Sequence, residues 1–139
     1  MVQVDLDHGI TEDVPPHPGV NLYSITKALG QEVCRVTSEN YPIHVMTQLY
    51  WMLSATAQPG PSDTPGQGVT PFAITTRDAS RALHAALDVE LATLPSRNEI
   101  FFIMVPSLPH GKFVARKGKE LLGWEPIDTL AWHYTSAKL

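Results

Sequence analysis

The stretch NLYSITKALGQEVCRVTS, residues 21–38, carries the clearest helical pattern in this chain of 139 residues. Its apolar residues recur at steps of three and four, as they do along one face of an α-helix. They are Leu22, Ile25, Leu29, Val33 and Val36. Asn21 is a good N-cap, and Asn40-Tyr41-Pro42 ends the pattern because proline cannot continue a helix. We therefore predict a helix over 21–38 whose apolar stripe faces a core.

The segments that follow alternate between strand and helix patterns. Residues 43–50 are rich in β-formers and predict a strand, and residues 69–74 predict a second short one. Thr75 or Thr76 then caps a second helix, with Asp78 in its first turn. The apolar stripe of that helix comprises Ala79, Ala82, Leu83, Ala86, Leu87 and Leu91.

Two further elements complete the pattern. Residues 99–105 read Glu-Ile-Phe-Phe-Ile-Met-Val and predict a strand buried on both faces. Residues 113–122 predict a short helix closed by Gly123 in a left-handed conformation. The alternation of helices and strands indicates an α/β fold, a mostly parallel sheet with flanking helices.

Proline and glycine divide the chain at two places. Residues 15–19, Pro-Pro-His-Pro-Gly, predict an extended approach to the first helix. Residues 59–68 are rich in proline and glycine and predict a mobile surface loop. Because neither flank of that loop is long enough for its own core, we expect one domain over 1–139, with 69–139 forming its C-terminal portion.

Composition narrows the class of protein. The net charge of −4 and the pI near 5.8 argue against a nucleic-acid module, which normally carries a basic surface. No apolar run approaches the ~20 residues that span a bilayer, and residues 1–7 do not resemble a signal peptide. A single cysteine, Cys34, fits a reducing compartment, so we expect a cytoplasmic protein without a membrane partner.

The strongest chemical signal is the pair Tyr23 and Lys27 inside the first predicted helix. Residues four apart lie on one helix face, so the phenol and the ammonium stand one turn apart. A nearby cation stabilises a phenolate, which lowers the pKa of the phenol toward the neutral range where it can exchange a proton with a substrate. The pair is therefore a candidate acid/base, although a surface tyrosine beside a solvated lysine is the commoner arrangement.

Other polar groups give weaker signals. The six histidines lack metal-ligand spacing, which argues against a metal site. Asp5, Asp7, Glu12 and Asp13 predict a solvated acidic arm, and residues 116–119 predict a solvated basic helix face. The three tryptophans, Trp51, Trp124 and Trp132, are expected to pack mostly against the sheet.

Three stretches resemble the NAD-dependent epimerase/dehydratase family, the extended short-chain dehydrogenases. The first is Glu12-Asp-Val-Pro-Pro-His-Pro18 followed by Leu22-Tyr-Ser-Ile-Thr-Lys-Ala-Leu-Gly30, which is similar to the approach and start of that family's active-site helix. Arg77-Asp-Ala-Ser-Arg-Ala-Leu-His-Ala-Ala-Leu87 and Leu121-Leu-Gly-Trp-Glu-Pro126 resemble two later segments of the family in the same order.

This resemblance implies a specific function. Tyr23 would be the catalytic acid/base, and Lys27 would support it and bind the nicotinamide ribose of NAD or NADP. The substrate would be a sugar or sugar-nucleotide that undergoes hydride transfer. The family commonly dimerises through the helix that carries this pair, so a homodimer through residues 21–38 is also implied.

The chain departs from the family in three ways. No glycine-rich dinucleotide loop occurs in the 139 residues, Leu49 stands near a position where the family often has arginine, and Gln31 stands where it often has glutamate. The resemblance thus implies a partial Rossmann-like arrangement, the C-terminal half without the dinucleotide-binding half. Two interpretations follow: an enzyme completed by another chain, or a non-catalytic, self-associating module that retains the family's fold.

Overall fold

The structure, a computed structural model, describes residues 10–50, 52–54, 73–105 and 113–130. Within these ranges the chain forms three α-helices and four short strands. In chain order they are α1 (Leu22–Asn40), β1 (Val45–Leu49), β2 (Met52–Ser54), β3 (Ala73–Thr75), α2 (Thr76–Asp88), β4 (Asn98–Phe102) and α3 (Lys117–Leu122), with a 3-10 turn at Leu91–Thr93.

The strands pair in parallel, which confirms the predicted mixed α/β class. β1 lies beside β4, from Val45 opposite Asn98 to Leu49 opposite Phe102. β2 lies beside β3 in a second two-stranded sheet. The amide of Val105 donates to the Ala73 carbonyl at 2.9 Å and so ties the segment after β4 to β3.

The core forms around the segment that follows β4. Phe101, Ile103 and Val105 are fully or almost fully buried. The residues that pack with them come from β3, α2 and the segment after α3: Ala73, Ile74, Ala79, Ala82, Trp124 and Leu130. The predicted burial of residues 99–105 is therefore confirmed for most of the segment, although Ile100 is half-buried and the strand ends at Phe102.

Helix α1 begins where the sequence predicts. The side chain of Asn21 accepts hydrogen bonds from the amides of Tyr23 and Ser24, at 2.8 and 3.4 Å. These bonds satisfy amides that have no partner inside the helix. At its other end the helix continues to Asn40, and the Tyr41 amide closes it on the Thr37 carbonyl.

The predicted orientation of α1 is wrong for four of the five apolar residues of its stripe, and only Ile25 is half-buried. Leu22, Leu29 and Val33 are 75%, 60% and 64% exposed, and Val36 is exposed as well. The face toward the strands carries smaller or polar side chains instead: Ser24, Ala28, Gln31, Cys34 and Ser38. Short side chains let the helix backbone approach β1, and the larger apolar stripe is left on the opposite side. We call Leu22, Leu29, Val33 and Val36 the outer stripe.

The predicted cap of helix α2 is confirmed, but only part of its predicted apolar stripe is buried. Thr75 is the N-cap and accepts a hydrogen bond from the Asp78 amide at 3.2 Å. The three alanines Ala79, Ala82 and Ala86 are buried, but Leu83, Leu87 and Leu91 are exposed. As in α1, the small residues of the helix pack inward while the leucines remain at the surface.

Helix α3 is shorter than predicted. The helix begins at Lys117, whereas Phe113 forms an isolated parallel bridge with Ile10. The Val114 amide donates to the Ile10 carbonyl at 2.8 Å, so these residues are used in strand-like pairing before the helix starts. Gly123 closes the helix at φ 62°, the predicted left-handed conformation.

The prediction of solvated charged segments fails at Glu12 and Lys117. Glu12 is only 3% exposed, and Lys117 is largely covered. Oε1 of Glu12 accepts hydrogen bonds from the amides of Arg116 and Lys117. The Lys117 ammonium pairs with Asp13 and Glu99. Sequence reasoning could not identify the contacts of Glu12 and Asp13, because their partners lie about a hundred residues further along the chain. Arg116 and Lys119 remain at the surface, as predicted.

Several sequence predictions concern residues outside the described ranges. These are the loop over 59–68, the first part of the strand over 69–74, and the positions of Asp5, Asp7, Trp51 and Trp132. Trp124 does pack in the core, as expected. None of the described helices is both long and apolar enough to cross a bilayer.

Two glycine-to-alanine changes provide a matched test of the packing of α3. A Cβ at Gly118 would lie 3.0 Å from Cε3 of Trp124, whereas a Cβ at Gly30 meets nothing within 4 Å. We expect Gly118→Ala to lower the free energy of unfolding by about 1–3 kcal/mol, because the buried indole must move. Gly30→Ala should raise it by about 0.5–1 kcal/mol, because alanine loses less backbone entropy in a helix.

Urea denaturation of both variants measures the difference. An equal effect of the two changes on stability would contradict the close packing of Trp124 on Gly118.

Candidate active site

A cleft of about 940 Å³ lies between α1 and the carboxyl ends of β1 and β4. Ligands of open α/β sheets bind outside the carboxyl ends of parallel strands, so this is a favourable place for a site. The cleft is also within the size range of small-molecule sites. Its lining comprises Pro16, His17, Pro18, Tyr23, Ser24, Lys27, Ala28, Gly30, Gln31, Cys34, Thr47, Gln48, Leu49, Tyr50 and Phe102.

The structure places Tyr23 and Lys27 together in this cleft. They lie one turn apart on α1, and Nζ of Lys27 is 5.2 Å from the centroid of the Tyr23 ring. At this distance the ammonium is attracted by the face of the ring. Tyr23 is 66% exposed, so its phenol is accessible to a ligand in the cleft. The juxtaposition predicted from the spacing is therefore present.

The position of Tyr23 depends on the helix cap. Its amide donates to Asn21 Oδ1, so the residue is fixed in the first turn of α1. Lys27 forms no ion pair with the described carboxylates, and its charge is available to the phenol or to a ligand.

The cleft contains polar residues that sequence reasoning missed. Gln48 lines it, and both atoms of its side-chain amide are buried without a hydrogen-bond partner among the described residues. Such an amide is costly unless water or a ligand satisfies it. His17 and Cys34 also face the cleft. A single glutamine in a strand or cysteine in a helix has no distinguishing pattern, so no sequence signal pointed to these residues.

The resemblance implies that a nicotinamide cofactor binds beside Lys27, which lines the cleft. Lys27 can donate to ribose hydroxyls, and the cleft beside it has mixed apolar and polar walls. The pyrophosphate end normally needs a glycine-rich loop at a helix N-terminus, and the 139 residues contain no such loop. Leu49, which stands near a position where the resembling family often has arginine, also lines the cleft.

No group of three potential metal ligands occurs within the part of the chain that the structure describes. His84 is exposed on α2, and its Nδ1 lies 2.7 Å from Asp88 Oδ2. This pair lies on the helix surface away from the cleft, and we assign it no function.

A second polar cluster joins α2 to the segment after α3. Asp78 is fully buried, and its Oδ2 accepts hydrogen bonds from the amides of Ile127 and Asp128 at 2.8 and 2.7 Å. Its Oδ1 accepts from Arg81 at 2.7 Å. Every interaction is satisfied within the fold, so the cluster is structural. It explains why the Arg-Asp stretch at 77–78, one of the resembling motifs, matters to this chain.

Asp128 completes the same cluster. Its carboxylate accepts a hydrogen bond from the Thr75 hydroxyl at 2.7 Å and pairs with Arg77. The Thr75 hydroxyl, with help from the Arg77 guanidinium, holds the pKa of Asp128 below its usual range. The charged form of this carboxylate therefore stabilises the folded chain.

Comparison with known proteins adds no assignment, since the chain matches no protein-family model, no curated protein and no solved structure. The resemblance to epimerases and dehydratases remains a prediction from residues 12–30, 77–87 and 121–126.

The Asp128 contacts predict an acid-sensitive stability. At pH 7 we expect Asp128→Asn to lower the free energy of unfolding by about 1–3 kcal/mol, since the Thr75 and Arg77 bonds to a charge are lost. Because the folded-state pKa is depressed, the stabilisation is present above the unfolded-state pKa of about 3.9 and disappears as the pH falls through the folded-state value.

The difference between wild type and Asp128→Asn should therefore narrow below about pH 4 in chemical denaturation. The control is Asp88→Asn, a change at an exposed residue at the end of α2, which should alter stability by less than about 0.5 kcal/mol. A wild-type advantage that persists unchanged at low pH would contradict the role of the charged carboxylate.

Proposed function

We propose that this chain is the substrate-side part of an NAD(P)-dependent epimerase, dehydratase or dehydrogenase that acts on a sugar or sugar-nucleotide. The observation that carries the proposal is the placement of Tyr23 and Lys27 on one helix face, inside a cleft at the carboxyl ends of two parallel strands. An exposed tyrosine beside a lysine without a described ion-pair partner is suited to proton transfer at a ligand hydroxyl.

The proposed roles divide one oxidation between the chain and a cofactor. The Tyr23 phenolate takes the proton of a substrate hydroxyl, and Lys27 stabilises that phenolate before the transfer. A bound nicotinamide supplies the hydride acceptor for the carbon that becomes the carbonyl. Lys27 also donates to the ribose hydroxyls. The reverse transfer returns the proton from the Tyr23 phenol to the carbonyl oxygen.

The partial cofactor site leads to a requirement for a second polypeptide segment. A glycine-rich strand–loop–helix unit must supply the contacts to the pyrophosphate. β1 pairs with β4 alone among the described strands, so its other edge has no partner strand in the described ranges. An edge strand presents unpaired N–H and C=O groups that another strand can satisfy. We propose that the cofactor-binding segment pairs along this edge of β1, next to Lys27.

The outer stripe favours self-association as a second function. Four large apolar residues are exposed along one side of α1, opposite the face that lines the cleft. Burying each such side chain contributes about 1.5–3 kcal/mol. We propose a homodimer through α1 for the enzyme. The same surface serves the alternative, a non-catalytic module that acts by association. A cytoplasmic location is part of the proposal, as expected from the single cysteine.

Binding of nicotinamide mononucleotide tests the enzyme proposal, because this probe represents the cofactor end that the cleft fits. We expect millimolar additions to shift the NMR signals of the Tyr23 ring, and Lys27→Ala to weaken the binding at least about tenfold by removing the ribose donor. Lys119→Ala is the matched control, because it also removes one lysine charge. Lys119 is exposed on α3 and pairs there with Glu125, which follows the helix.

Equal weakening by Lys27→Ala and Lys119→Ala would show that the probe binds through general charge. The absence of any shift at the solubility limit of the probe would overturn the proposed cofactor end of the cleft. Tyr23→Phe should leave binding of the probe nearly unchanged, because the proposed role of the phenol is proton transfer.

Sedimentation equilibrium tests the dimer. We expect wild type to sediment as a dimer, and Leu29→Glu or Val33→Glu to shift it to monomers, because a buried unpaired carboxylate would oppose association. Leu87→Glu is the control, since Leu87 is 84% exposed on α2, away from the outer stripe. A monomeric wild type, or dissociation by Leu87→Glu alone, would contradict the interface.

A further inference from the structure

Residues 10–20 run from the start of α3 to the cleft, and the carboxylates near the beginning of this segment contact α3. Oε1 of Glu12 accepts hydrogen bonds from the amides of Arg116 and Lys117, at 2.9 and 3.0 Å. These amides lie at the start of α3, where no helical carbonyl can accept from them. Glu12 is 3% exposed, so these bonds are shielded from water.

Asp13 strengthens the same anchor. The ammonium of Lys117 lies 3.0 Å from Oδ1 of Asp13 and 3.1 Å from Oε2 of Glu99, which places it between two carboxylates. Arg116 also contacts Asp13, at 3.2 Å. We call Glu12 and Asp13, with Arg116 and Lys117, the clasp.

The chain between the clasp and α1 is stiff. Pro15, Pro16 and Pro18 fix their own φ angles and restrict the residues before them to extended conformations. Such a run extends by about 3.1 Å per residue with little freedom to bend. It ends at Gly19, whose φ of 63° turns the chain toward Asn21 and the start of α1.

The stiff run also forms part of the candidate active site. Pro16, His17 and Pro18 line the cleft that holds Tyr23 and Lys27. The residues that line this wall of the cleft are thus three to six positions along the chain from Glu12 and Asp13.

We propose that Glu12 is a positioning residue for the cleft: through the proline run, the clasp at α3 sets where His17 and the Tyr23 end of α1 stand. The catalytic meaning of this position rests on the proposed function, but the mechanical coupling itself does not. A purely structural role for Glu12 would stabilise α3 and leave His17 and Tyr23 in place.

The experiment compares Glu12→Ala with wild type by NMR in the absence of any ligand. Amide exchange at Arg116 and Lys117 reports on the clasp, and the His17 and Tyr23 ring signals report on the cleft wall. We expect exchange at both amides to accelerate at least about tenfold, and both ring signals to move. Glu125→Ala is the control, and this change should affect neither readout. Glu125 lies just after α3, is exposed and pairs with Lys119 at the surface.

A second variant separates the connection from the anchor. Replacing both Pro15 and Pro16 by alanine should leave the exchange at Arg116 and Lys117 slow while the His17 signal moves. In that background, adding Glu12→Ala should no longer move the Tyr23 signal. If Glu12→Ala does not fold, Glu12→Gln takes its place. Its neutral amide oxygen still accepts from α3, so exchange at Arg116 and Lys117 should accelerate less, and the His17 and Tyr23 signals should move less in proportion.

Accelerated exchange at Arg116 and Lys117 with unchanged His17 and Tyr23 signals would overturn the proposal and leave Glu12 as a helix cap alone. Because these signals are recorded without a cofactor, the outcome is independent of the nicotinamide mononucleotide titration. Either proposal can therefore fail while the other holds.

Discussion

The parallel pairing of β1 with β4 is the constraint on which the rest of the described structure depends. It brings the carboxyl ends of two strands from distant parts of the sequence to one edge. That edge gives α1 a surface to lie against, and the space between them is the cleft. The continuation of β4 then reaches β3 through the bond between Val105 and Ala73 and becomes the centre of the core. The site and the core thus both lie at the carboxyl end of β4.

The contents of the cleft follow from the type of side chain that each element turns inward. Several of the small side chains of α1 line the cleft, among them Ser24, Ala28 and Cys34. Tyr23 and Lys27 border the cleft, and Gln48 lines it with a buried side-chain amide that has no hydrogen-bond partner among the described residues. The charged clusters elsewhere are satisfied internally, as at Asp78 and Asp128, and they hold the elements that surround the cleft.

Local features of the fold could be predicted from the sequence. The caps at Asn21 and Thr75, the left-handed Gly123 and the spacing of Tyr23 and Lys27 depend on residues within one or two helical turns, so neighbouring residues determine them. The orientation of α1 could not be predicted in the same way. A stripe of leucines and valines indicates that a face is buried against something, but the described fold buries the opposite face. The clasp could not be predicted from the sequence either, because Glu12 contacts residues about a hundred positions away that only the folded chain brings close.

Helix α1 has an unusual distribution of constraints around its circumference. One face must stay small to fit against β1, and the proposed dimer requires the outer stripe to stay apolar. A third position, Arg35, pairs with Glu32 and Glu39 along the surface. A typical surface helix has one constrained stripe and a permissive remainder. In a comprehensive substitution screen, α1 would instead have few neutral positions, and its sequence would drift more slowly in evolution than the exposed leucine face of α2.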